Sequence, residues 1–330
     1  MQVTKSLQAS LLTHIFSIHH GYYFIASTIW GFRLDTGEPV LEQTLWSEIG
    51  QAIGQSTLFD EAINKDVAEF IVIGDAFSPN GKMVARLEVD VSLADSHKRL
   101  NVTGDRYWQG NGAMLHASTP TLFNQKTLDY TNAFGGEKHR FNKQGKGSNP
   151  VDVGEMKFHW LPNIECPNNP VTGKSHQADP AGFAPVNRQW PQRAALAGTY
   201  DDHYLQNDMP GLASDINWQY FNVAPKDQQL DGYLHGDETF SITNMHKTMP
   251  LIKGKLPSVV GRCFIEQEKT VPDGALITEF KEIPLNLDTV VFLPNANLGM
   301  VIHRGTVEVS HPQGRDIKKL LIAHQGLNDN

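Results

Sequence analysis

The sequence predicts a mainly β protein, sandwich-like, with a few short helices and long ordered loops. Three observations carry this. Over residues 84–93, Val84, Arg86, Glu88 and Asp90 alternate with Ala85, Leu87, Val89, Val91 and Leu93, the two-residue period of a half-buried strand with a charged outer face. After Leu230 a series of strand-like runs follows, at 238–244, 258–266, 275–283, 289–293 and 298–309. Between them, over 104–191, glycine, proline, asparagine and aspartate are dense, which favours ordered loops over helices.

The remaining elements follow in order. Residues 11–18 and 22–34 read as two strands around a turn at His20-Gly21. Leu45, Trp46, Ile49 and Ile53 recur at helical spacing over 43–53, with Gly54 as the stop. Ser56 caps a second short helix running to Ile63. Residues 70–73 form a short apolar strand ending at Gly74-Asp75, and Pro79-Asn80-Gly81 is a turn. Leu100, Asn101 and Val102 pair with the 84–93 strand across a loop at 95–99. The chain closes on a helix over 316–324, with Ile317, Leu320, Leu321 and His324 at helical spacing. With no repeat and no composition shift, residues 1–330 read as a single domain, or as two intimately packed β-rich halves, 1–190 and 191–330.

Composition narrows the class. The chain has 330 residues, 40% hydrophobic and 19% charged, as an ordinary globular protein does. A net charge of -8 argues against nucleic acid, whose phosphates are bound by clustered Lys and Arg, and gives no pull toward anionic lipid. Lys138, His139, Arg140, Lys143 and Lys146 form the one dense basic run, read as a solvated turn. Cys166 and Cys263 are the only cysteines, which fits a reducing compartment. The apolar run near residues 11–18 is too short to span a bilayer, and no leader is read at the N-terminus. A cytoplasmic location is expected.

The segment 190–230 holds the candidate site. Trp190, Tyr200, Tyr204, Trp218, Tyr220 and Phe221 sit there among carboxylates, prolines and glycines, with Arg193 beside them. Ordering such a stretch is costly in entropy, so a fixed one serves packing or recognition. Tyr200-Asp201-Asp202-His203 is the best enzymatic suspect, a metal site or an acid-base pair for a metal-dependent hydrolase. Against this, successive residues rarely converge on one ion, and Asp201 or Asp202 reads more simply as the N-cap of a short helix toward Asp208. Asp215, Trp218 and Phe221, with Ser214 as cap, read as a short helix with an aromatic face. Residues 168–175 end like a phosphate loop, but Asn168 stands where its first glycine belongs. Asp105 and Arg106 are read as a loop-bracing pair. A carbohydrate-binding sandwich with exposed Trp and Tyr platforms is a further alternative.

Several short motifs occur in fixed order: Gly74-Asp75, TGDRYW from Thr103, AFGG from Ala133, LPNIE from Leu161, AGTYDDHY from Ala197, APKDQQ from Ala224, GDE from Gly236, LDT from Leu287 and HRG from His303. In this the chain resembles a bacterial family labelled a domain of unknown function and associated with type VI secretion, whose members look like effector adaptors or chaperones. The similarity runs from about Gly74 to Val309, and the chain departs from it at 149–154, where NPVDVG replaces NPxGxG. The resemblance implies a binding protein without catalytic residues or cofactor. Its expected partners are a cognate effector toxin and the VgrG spike or its PAAR-type tip. The residues expected to touch a partner are Trp190, Arg193, Tyr200, Asp201, Asp202, Tyr204, Asp208, Trp218 and Tyr220.

Overall fold

A computed structural model describes residues 2–5, 10–18, 21–53, 62–110, 115–136, 139–140, 142–145, 159–173, 175–311 and 313–326. In chain order its strands are β1 (Gln2–Lys5), β2 (Ser10–Ile18), β3 (Gly21–Arg33), β4 (Pro39–Val40), β5 (Glu69–Val72), β6 (Asp75–Phe77), β7 (Arg86–Leu93), β8 (Ser96–Thr103), β9 (Tyr107–Gln109) and β10 (His116–Ala117). They continue as β11 (Gln125–Thr127), β12 (His159–Trp160), β13 (Ile164–Glu165), β14 (Thr239–Thr243), β15 (Leu251–Lys255), β16 (Val259–Thr270), β17 (Leu276–Ile283), β18 (Asn286–Leu293), β19 (Leu298–Val309) and β20 (Ile317–Gly326). The α-helices are α1 (Glu42–Ile53), α2 (Pro191–Ala194) and α3 (Asp202–Asn207).

Three sheets carry the core. The central one runs β2-β3-β19-β18-β5 with β4 on β3; a second runs β13-β8-β7-β14-β15; a third runs β1-β20-β16-β17. Period-two alternation on β3 explains how they stack, because successive side chains leave opposite faces. Phe32, with Phe70, Val72, Val290, Phe292 and Val301 of the neighbouring strands, packs on Val89, Val91, Leu100, Phe240 and Ile242 of the second sheet. On the same face, nearer the start of β3, Phe24 and Ala26 pack on Cys263, Ile265, Leu320 and Ile322 of the third sheet. The opposite face carries Ile29, Ile71, Val291, Met300 and Ile302 under Leu45 and Ile49 of α1 and under Val223 and Ala224. A sheet covered on both faces needs continuous apolar strands, and the run of Val290, Val291, Phe292 and Leu293 in β18 is one. The largest core cluster draws on residues either side of 190.

A chain of buried polar groups crosses this apolar sheet. Lys65 Nζ donates to Glu69 Oε1 at 2.5 Å and to Thr289 Oγ1 at 2.6 Å, with both charged side chains fully buried. The Thr289 hydroxyl donates to Asp288 Oδ1 at 2.8 Å, and Arg304 Nη1 lies 3.2 Å from Asp288 Oδ2. Asp288 reaches Arg304 because the β18–β19 register shifts between Leu287 and Thr289, and a bulge re-aims a side chain. Beside Arg304, a Cβ at Gly305 would sit 2.1 Å from the Pro284 carbonyl oxygen, so only glycine fits.

Two sequence expectations are corrected here. Residues 317–326 are strand, not helix. The register between β16 and β20 shifts at Glu266/Gln267, pairing Glu266 with Lys319 but Gln267 with Ile317. Lys318 is the extra residue, so Ile317 and Leu320 both reach the core and imitate a helical spacing. The 95–99 loop is also absent: β7 and β8 pair from Leu93↔Ser96 onward around a two-residue turn. Lys98 lies inside because its ammonium is fully used, on Gly182 O at 2.6 Å and on Asp227 Oδ1 and Gln228 Oε1 at 2.8 Å each. The second helix read from Ser56 lies almost wholly outside the described residues. Cys166 and Cys263 are both free.

Two outcomes are expected. Lys65→Met leaves Glu69 a buried carboxylate without its cation and should lower unfolding free energy by about 3–5 kcal/mol in urea titrations. His303 and His324 face each other at 6.0 Å between the central and third sheets, and burial pushes each imidazole down to about 4, with His303 adding to the shift at His324. Between that value and the ordinary one near 6.5 the unfolded chain binds more protons than the folded chain. Stability should therefore be full above about pH 6.5 and fall as pH drops toward 4, by about 3 kcal/mol through His303 alone, and His303→Gln should flatten that slope in pH-dependent melts.

Candidate functional site

The 190–230 segment is built from caps and carbonyl bridges. Trp190 precedes α2, whose first residue is Pro191, fixed in φ and lacking a donor the first turn cannot use. Arg193 then turns inward: Nε donates to Tyr220 O at 2.9 Å, Nη1 to Val186 O at 2.8 Å, and the guanidinium lies 5.2 Å from the Tyr220 ring centre. Gly198 takes a left-handed φ of 86°, which lets Thr199 give both its N–H and its hydroxyl to Asp215, at 2.8 and 2.7 Å. Those two bonds hold the Asp215 carboxyl below the usual range.

Asp201 caps α3. Its Oδ1 accepts from the N–H groups of His203 and Tyr204, at 3.0 and 3.1 Å. Asp202 sits in the first turn, where the helix dipole favours a negative charge. Tyr204 donates its hydroxyl to Gly211 O at 3.0 Å and meets the Tyr200 ring edge-on at 4.5 Å. At the helix end Asp208 is buried and accepts from Ser214 N–H at 2.9 Å. Asn217, rather than Ser214, caps the following 3-10 turn Trp218–Phe221 through Gln219 N–H.

The candidate residues therefore divide. Trp218, Tyr220 and Phe221 pack against one another and against Ile25, Ala62 and Ile63. Arg193 and Asp208 are internal braces. Trp190 meets Tyr130 edge-on at 4.7 Å and, with Arg193, Tyr130, Asn222, Lys226 and Gln229, lines a cleft of about 400 Å³. Tyr200, Asp201, Asp202 and His203 stand on the surface, Tyr200 54% exposed. Beside them Leu205 and Met209 are 59% and 61% exposed, and sequence reading passed both over. Their four-residue spacing behind a capping Asp201 was the available signal. Asp202 and His203 leave α3 at successive positions and diverge, and among the described residues no three His, Cys, Asp or Glu come together as a metal-holding group.

The ordered motifs also find their places. TGDRYW and LPNIE interlock: Arg106 donates to Glu165 Oε2 at 2.5 Å and to Pro162 O, while Asn163 Nδ2 donates to Thr103 O and to Asp105 Oδ1. Asp105 and Arg106 thus do not pair with each other; Lys126 is the cation on Asp105. In AFGG, Asn142 Nδ2 donates to Phe134 O, and a Cβ on Gly135 would lie 2.5 Å from Asn142 O. His139, read as part of a solvated basic turn, is buried with its ring against Phe134; Lys138 and Lys146 lie outside the described residues, as does 149–154. APKDQQ fixes the loop layer: Gln228 Nε2 donates to Phe70 O and Phe183 O, and Glu69 Oε2 accepts from Ala224 N–H at 2.9 Å. Over 168–175 the described residues form no helix of the kind a phosphate loop leads into.

The model of a bacterial family, described as an uncharacterised protein conserved in bacteria and designated DUF2169, matches residues 22–304. The chain belongs to this family. No curated protein and no solved structure matches it. The matched span takes in the central sheet from β3 to most of β19, and the motifs above up to Arg304 of HRG. No helix among the described residues is long and apolar enough to cross a membrane.

Asp201→Ala should cost about 1 kcal/mol of stability through the lost cap, read in thermal melts, whereas Asp202→Ala should leave the melting temperature within a degree or so.

Proposed function

We propose that this protein is an adaptor that binds a cognate effector toxin in the cytoplasm and carries it to the type VI secretion spike, VgrG or its PAAR-type tip. The observation that carries the reading is the surface of α3. Tyr200, Leu205 and Met209 project from a capped, internally braced segment, with Asp201 and Asp202 at their edge. Exposed aromatic and aliphatic anchors on a rigid support, rimmed by polar groups, are what a protein interface uses. The secretion part of the reading rests on the resemblance of the ordered motifs, Gly74-Asp75 to the HRG at His303, to those of secretion adaptors. The acidic rim selects a partner face carrying Lys or Arg. A carrier must release its cargo, so the expected affinity is micromolar to nanomolar, about -8 to -12 kcal/mol.

Co-expression with the toxin encoded beside it should yield a complex that survives affinity purification. Leu205→Asp combined with Met209→Asp should abolish that complex and leave the melting temperature within a few degrees. Tyr204→Ala should lower the melting temperature, because its hydroxyl holds Gly211. A chain that captures neither the neighbouring toxin nor the spike proteins overturns the reading.

A further inference from the structure

We infer that this chain forms a two-fold homodimer in which β17 pairs antiparallel with the β17 of a second copy, joining two third sheets edge to edge. β17 pairs with β16 along its whole length, and its other edge carries no strand among the described residues. Most edge strands are blunted by charge, proline or a bulge. This one carries Glu279, Lys281 and Glu282 but interleaves them with exposed Leu276, Ile277 and Phe280, the last 66% exposed. Phe280 stacks on Phe264 at 6.0 Å with the rings 3° from parallel, so the apolar row continues inward across the sheet's outer face.

The sequence of β17, LITEFKEI, names its own partner. A two-fold axis normal to a sheet sets a strand antiparallel to its copy and places one residue opposite itself. With the axis at Glu279 or Lys281, like charges face each other, which is unfavourable. With the axis at Thr278, Glu279 faces Ile277 and Lys281 faces Ala275, so neither charge meets its opposite. With the axis at Phe280, Glu279 faces Lys281 twice, Ile277 faces Ile283, and the two Phe280 rings meet at the centre. Of these four registers it is the one that sets opposite charges against each other, with Glu282 facing Thr278, and it extends the aromatic row as Phe264, Phe280, Phe280, Phe264. The strand is self-complementary in charge and in shape, so the occupant is a second copy of this chain.

Sedimentation equilibrium on the full chain at about 100 µM should give twice the 36.7 kDa chain mass. Lys281→Glu alone and Glu279→Lys alone should each return the chain to monomer with an unchanged far-UV circular dichroism spectrum. The combined exchange should restore the dimer, because the pairs are rebuilt with their signs reversed. Phe280→Cys should trap the dimer as an intermolecular disulfide under mild oxidation, and Thr278→Cys should not, since its two copies lie far apart along the strands. A wild-type chain that stays monomeric at that concentration overturns the inference. So does a dimer indifferent to both single reversals, or one that the combined exchange fails to restore.

Discussion

One buried carboxylate holds the two halves of the architecture together. Glu69 sits on β5, an edge strand of the central sheet, and takes an ammonium from Lys65 on one oxygen and the Ala224 amide on the other. A charge in a dry interior is tolerable only when its hydrogen bonds are filled, and here strand and loop layer fill them jointly. The loop layer cannot lift away without stranding the charge. The same sharing recurs at Gln228, which gives its amide to strand β5 and to residue 183 while accepting from Lys98. Long irregular segments become ordered in this protein because their polar groups are spent on the sheet.

This accounts for what the recurring motifs do. TGDRYW and LPNIE latch two loops to each other, LDT and HRG pair across a bulge, and APKDQQ bolts the loop layer down. Each stretch concentrates carboxylates, cations or amides. In three dimensions those groups face one another. The polar side chains left facing outward around α3 stand on a support whose own hydrogen bonding is internal, which is how a surface site gains rigidity.

Legibility in the sequence followed the reach of the forces involved. The strands of 22–34, 84–93 and 298–309 were legible because alternation and continuous burial are local patterns. The Asp201 cap was legible for the same reason, as it acts over three residues. The 317–326 strand was not: its bulge at Lys318 depends on the partner strand β16, and the resulting three-residue spacing mimics a helix. Lys98 was not legible either, because its acceptors lie more than eighty residues away along the chain. In the candidate site, aromatic content announced importance without saying which rings face in. Trp218 and Tyr220 turned toward the sheet, while Leu205 and Met209, unremarkable in sequence, turned outward.

The two interior lysines have a practical consequence. An amine in the core cannot meet a water-borne acylating reagent, and both Lys65 and Lys98 are withdrawn from solvent with every proton engaged or packed. Their silence toward such reagents is a property of the folded state alone. Labelling followed by mass spectrometry would therefore report, at two named sites and in a crude cell extract, what fraction of this protein has its loop layer closed.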